Sequence, residues 1–177
     1  MNKIKKIRFI LFLLTIFCFS IGCSPVFDWR EYHHDDGHWT ALFPSKPFVK
    51  ERKLDIDVAN INVKIKMQQY SSKVKEMNFV VNNIVVSNKK INLNTLKNKL
   101  NERLENNLNI ITKKFIDDNL VFYLGGFLNS KNQNEKILIY VYTTLSPNSI
   151  VRGVVFSENK FFSEEEAMLF IRSIKTN

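Results

Sequence analysis

Asn60-Ile61-Asn62-Val63-Lys64-Ile65-Lys66-Met67-Gln68-Gln69-Tyr70 is the stretch from which the fold class can be read. Ile61, Val63, Ile65 and Met67 fall on one side; Asn62, Lys64, Lys66 and Gln68 fall on the other. That period of two specifies a strand with one buried face. The next apolar run, Asn78 to Val86, is broken only by Asn82 and Asn83, as expected of a central strand covered on both faces. The polar segment Ser71–Met77 between them reads as a hairpin loop.

Upstream, Phe48 to Asp55 is a charged strand whose Lys50, Arg52 and Lys53 suit a sheet edge. Before it, Trp39 to Phe43 is a short strand stopped by Pro44, and His33 to His38 reads as a turn around Asp36-Gly37. Downstream, Leu93, Leu96, Leu100, Leu104 and Leu108 recur at intervals of three and four and predict a helix with one apolar stripe. Four strands follow: Ile111–Asp117, Leu120–Leu128, Lys136–Thr144 and Ser149–Phe156. Turns at Asn132-Gln133-Asn134 and Pro147-Asn148 separate the later ones. Gly125 and Gly126, inside an apolar strand, point to a bulge or a close backbone approach. Ser163-Glu164-Glu165-Glu166 is a capping box in which Ser163 accepts from the third helical amide and Glu166 reaches back. Ala167, Phe170, Ile171 and Ile174 form the buried side of that last helix. Short connections between strands make the sheet antiparallel and place the helices against it, an α+β class.

The first residues carry an address. Lys3, Lys5, Lys6 and Arg8 precede an apolar run from Phe9 to Ile21, and small residues follow. This is the layout of a secretory signal, and the run is shorter than the ~20 apolar residues a transmembrane helix needs. Ser20-Ile21-Gly22-Cys23 resembles the lipobox of bacterial lipoproteins, with Ser20 standing where an aliphatic residue is usual. The resemblance implies cleavage after Gly22 and a diacylglycerol, with its palmitate-type chains, on the Cys23 sulfur. An ordinary cleaved signal and an uncleaved anchor are the alternatives. Ser24, where aspartate resembles an inner-membrane retention signal, implies an outer-membrane lipoprotein facing the periplasm. The chain then divides into a signal peptide (1–22), a lipidated tether and lead-in (23–32) and one α+β domain (33–177).

Composition narrows the chemistry. Four of the 26 basic residues lie in the leader, leaving 22 against 17 acids in the exported part. That mild basicity suits a solvated surface or an anionic envelope component, and gives no reason to expect nucleic acid. Cys18 leaves with the signal and the lipobox reading occupies Cys23, so neither a disulfide nor thiol chemistry is expected.

Further residues look familiar. Trp39-Thr40-Ala41-Leu42-Phe43-Pro44-Ser45-Lys46-Pro47 resembles the opening of PsbP-like (Mog-type) domains, named after the photosystem II extrinsic subunit. The strand Asn60–Tyr70 and the closing Glu165-Glu166-Ala167-Met168-Leu169-Phe170-Ile171-Arg172-Ser173-Ile174 are similar to that family as well. Cys23-Ser24-Pro25-Val26-Phe27-Asp28-Trp29-Arg30-Glu31 resembles small proteobacterial lipoproteins that carry this domain. The resemblance implies an antiparallel sheet flanked by helices, a PsbP-like α/β/α sandwich. It implies no catalytic residues, because the fold serves as an accessory or binding module in unrelated settings.

Candidate sites are few. His33, His34 and His38 share a short loop with Asp35 and Asp36 and bear the donor types of a zinc, copper or nickel site, but without helical spacing; a polar loop ahead of the first strand is the preferred reading. Lys89, Lys90, Lys97, Lys99 and Arg103 gather around the leucine helix as a candidate anionic contact. Asp117-Asp118 reads as solvated turn residues and Glu164–Glu166 as a cap. The strand aromatics, Tyr140 and Tyr142 among them, read as core rather than a stacking platform, with a half-exposed binding face shared with Leu138 as the alternative. No phosphate loop, nucleophile elbow or zincin motif occurs. The expectation is a membrane-anchored, non-enzymatic binding or accessory module without a cofactor. A small apolar ligand or lipid carrier, and a metal-dependent activity at His33–His38, are the alternatives; oligomeric state and partner are not legible.

Overall fold

The computed structural model describes residues 26–34, 39–58, 61–86, 91–127 and 136–176. Residues 1–25, Cys23 among them, and Asp35, Asp36, His38, Lys89 and Lys90 lie outside the described residues. In chain order the elements are β1 (Arg30–His33), β2 (Trp39–Phe43), β3 (Phe48–Val58), β4 (Ile61–Val74), β5 (Met77–Val86) and α1 (Leu93–Glu105). Then come β6 (Leu108–Phe115), β7 (Leu120–Phe127), β8 (Ile137–Ser146), β9 (Ser149–Glu158), a 3-10 turn (Asn159–Phe161), α2 (Glu164–Ser173) and β10 (Lys175–Thr176). Seven strands form one sheet in the order β3-β4-β5-β9-β8-β7-β6, and β1-β2-β10 form a second, small one. Every pairing is antiparallel. With two α-helices among the described residues, the class is α+β, as the strand pattern predicts.

Successive strand residues point to opposite faces, and the large sheet is covered on both. On one face α1 lays Leu96 and Leu100 over Ile56, Val63, Ile65, Ile84 and Ile150. On the other, α2 and the small sheet pack Phe170, Ile171, Trp39 and Phe43 against Tyr70, Phe79, Val81, Tyr140, Val151 and Val155. α2 comes closest at Gly153, where a Cβ would lie 2.1 Å from Ile174 Cδ1.

Several expectations are corrected. Ser71–Met77 is not a loop: β4 runs to Val74 and the turn is Lys75-Glu76 alone, both with positive φ (48° and 65°), the two-residue turn whose twist matches paired strands. Leu108 does not close the helical stripe. It opens β6 and packs with Tyr123, Ile137 and Ile139, after Asn107 Nδ2 has donated to the Arg103 carbonyl (2.7 Å). β1 and β10 have no expected counterpart, since four and two residues carry too little periodicity to announce themselves. The α2 cap is only half the expected box: Glu166 N donates to Ser163 Oγ (3.4 Å), but Ser163 N meets Met77 Sδ (3.4 Å) instead of the Glu166 carboxylate.

Gly125 behaves as its position predicts. It pairs with Ile110 where the β6–β7 register shifts between Ile110 and Thr112, and a Cβ there would stand 2.5 Å from the Asn109 carbonyl oxygen. Backbone of the paired strand β6 cannot step aside as a side-chain tip can. Gly125→Ala is therefore expected to cost about 2 kcal/mol in urea unfolding; a change within experimental error would show that the bulge accommodates a methyl.

Candidate functional site

Asn92 caps α1 by accepting from Asn94 N (2.8 Å) and Thr95 N (3.3 Å) through Oδ1. The helix then lies with Leu96 and Leu100 on the sheet, and beneath its second half is a buried cation. Arg152, on β9, is 7 % exposed. Its Nε donates to Thr143 Oγ1 (3.3 Å), Nη1 to the Leu100 carbonyl (3.3 Å) and Nη2 to Asn101 Oδ1 (2.6 Å). All three acceptors are neutral, and burial pulls the guanidinium down to about 10, since charge is costly in a poorly solvated place. Beside it, the Tyr123 hydroxyl donates to Glu105 Oε1 (2.8 Å), which also accepts from Lys113 Nζ (2.6 Å). Burial first, then the bond to Glu105, pushes the Tyr123 phenol up. These contacts bind α1 to β6, β7, β8 and β9. The signal that would have revealed Arg152 is one charge in the apolar run Ile150-Val151-Arg152-Gly153-Val154-Val155.

The helix-borne basic residues do not converge. Lys97 Nζ donates to Asn119 Oδ1 (3.0 Å), while Lys99 pairs with Glu102 (2.9 Å) on the same helix. Lys99 and Arg103 line an open groove of about 700 Å³ between α1 and the end of β3, with Asp55, Asp57 and Glu102 among its other walls. Three carboxylates against two cations neutralise the field an anion would need.

The described histidines part company. His33 is exposed, its Nε2 3.4 Å from Glu31 Oε2. His34 is buried, and its Nε2 donates to Gln68 Oε1 (2.9 Å) and lies 3.4 Å from Asn83 Nδ2. One ring stands in solvent and the other in the core, so His33 and His34 do not share a ligand position. Among the described residues no group of three or more His, Cys, Asp or Glu side chains is placed to hold a metal. His34 belongs to an aromatic cluster, its ring 5.7 Å from Trp39 and 6.0 Å from Tyr70.

The acidic candidates have local work. Asp117 Oδ1 accepts from Asn119 N (2.7 Å) and Leu120 N (2.8 Å), closing the β6–β7 turn; Asp118 is exposed. Glu164 Oε1 accepts from the Tyr140 hydroxyl (2.9 Å). Tyr140 is core, as its place in an apolar strand predicts: it is buried under α2 and stacked on Phe162 at 5.6 Å, so the half-exposed alternative fails there. Tyr142 stays partly exposed and lines a 230 Å³ groove with Ile116 and Met168. A larger groove of about 590 Å³ runs along α2 between Leu42, Met168 and Leu169.

No protein-family model, no curated protein and no solved structure matches this chain.

Proposed function

We propose that the protein is a lipid-anchored module of the bacterial cell envelope that binds or supports another envelope component without catalysing a reaction. The observation that carries this reading is the leader: a basic head, a short apolar run, and Gly22-Cys23 at its end. Two or three acyl chains on Cys23 would hold the chain essentially permanently, since one myristoyl chain alone gives marginal binding and each buried methylene adds ~0.8 kcal/mol. Ser24 favours the outer membrane, with the domain in the periplasm. The antiparallel sheet with a helix on each face agrees with a PsbP-like sandwich of the accessory type. The buried Arg152, Tyr123 and Tyr140, the two tyrosines held by Glu105 and Glu164, support a scaffold role, because each is already committed to a neighbour in the fold.

Labelling cells with palmitate tests the anchor. Wild type is expected to take up label and Cys23→Ala to lose it, while globomycin causes the unprocessed form to accumulate. Unlabelled wild type would reject the reading.

A further inference from the structure

The geometry points to one end of the domain, formed by the β4–β5 turn and the 3-10 turn after β9, as a surface that rests on the phospholipid headgroups of the leaflet holding the anchor. This rests on the acylation of Cys23 proposed above. Asn78 pairs with Phe156, so Lys75-Glu76 and Asn159–Phe161 project from the same end of the sheet. The chain joins the domain there too: the Phe27 ring lies 6.3 Å from that of Phe79, and Lys75 Nζ is 5.6 Å from the Phe27 ring. Between Cys23 and Val26 are three residue steps, a reach of at most about 10 Å. The headgroup layer itself is roughly 5–7 Å deep on each side of the hydrocarbon. A tether this short leaves the domain no room to stand away from the membrane.

The chemistry of that end suits the interface. Val26 and Phe161 are 56 % and 43 % exposed, which leaves apolar surface in solution. Lys160 Nζ sits 4.8 Å from the Phe161 ring, an aromatic body with a cation at its rim of the kind found at headgroup depth. Asn159 N donates to the Lys136 carbonyl (3.1 Å), so Lys136 is at this end as well. Lys73, Lys75, Lys136 and Lys160 share this end with Glu76, Glu158 and the first-turn Glu164, Glu165 and Glu166 of α2, so tether length and exposed apolar side chains, not net charge, place it at the membrane. The opposite end of the sheet carries the β3–β4 and β6–β7 turns, with the exposed Asp118 in the second.

The test uses the full acylated chain in phosphatidylethanolamine–phosphatidylglycerol vesicles, with a nitroxide on Phe161→Cys or, at the far end, on Asp118→Cys. Collisions with a water-soluble nickel chelate are expected to be lost at position 161 and retained at 118. The mass of the same sample reads the acyl group on Cys23. An acylated chain with equal accessibility at both positions would overturn the membrane contact alone. A chain without the acyl group would overturn the anchor and the contact together.

Discussion

Phe170→Ala is expected to remove about 4 kcal/mol of stability and to lower Tm by roughly 10 °C. The ring is completely buried and joins three elements. It stands edge-on to Phe43 of β2 (5.3 Å, 72°) and to Phe79 of β5 (5.4 Å, 69°). Truncation therefore loses the transfer energy of an aromatic side chain, leaves a cavity between two sheets, and deletes two edge-to-face contacts worth ~0.5–1.5 kcal/mol each. The small sheet is expected to loosen as well, because Leu42 N donates to Ser173 Oγ (2.8 Å) on the same helix. Phe170→Leu keeps most of the volume and should cost only about 1 kcal/mol. Calorimetry on the two variants decides; equal losses would mean that the helix, and not the ring, carries the contact.

Arg152→Ala is expected to cost about 3 kcal/mol, because the Leu100 carbonyl and Thr143 hydroxyl would lose their donor under α1. Arg152→Met should recover most of that loss, as apolar replacement of a buried charge is often neutral or better. The alkaline limb separates charge from packing. Arg152 falls from 12.5 to about 10 on folding, so above pH 10 the folded chain releases a proton that the unfolded chain keeps. Its contribution therefore rises with pH. Tyr140, pushed from 10.0 up to about 12 by burial and then by Glu164, does the reverse, and Tyr123 is raised in the same sense. Their contributions are complete below pH 10 and are lost as pH climbs through the folded values. Two tyrosines outweigh one arginine, so stability is expected to fall above pH 10. The fall should be steeper in Arg152→Met, which lacks the opposing group. Urea midpoints between pH 9 and 11.5 measure it, and parallel curves for wild type and Arg152→Met would refute the account.

Local periodicity was enough to specify the elements that span several residues. The alternation at Ile61–Met67, the doubly apolar β5, the leucine spacing of α1, the Ser163 cap and the Gly125 bulge each follow from neighbours a few positions apart. Tertiary structure alone decided which face is inside at each point. β4 buries Val63 and Ile65 toward α1 but Tyr70 and Ser72 toward the other face. One strand thus serves two cores, and the polar-looking Ser71–Val74 stays paired. The same cause covers Tyr140 with α2, gives Ser163 N a methionine sulfur, pairs β1 and β10 with β2, and sends His33 and His34 apart. It also brings Arg152 to Leu100 and Asn101, about fifty positions earlier in the chain. A residue's side of the strand is a local property, but what covers that side depends on where distant elements land.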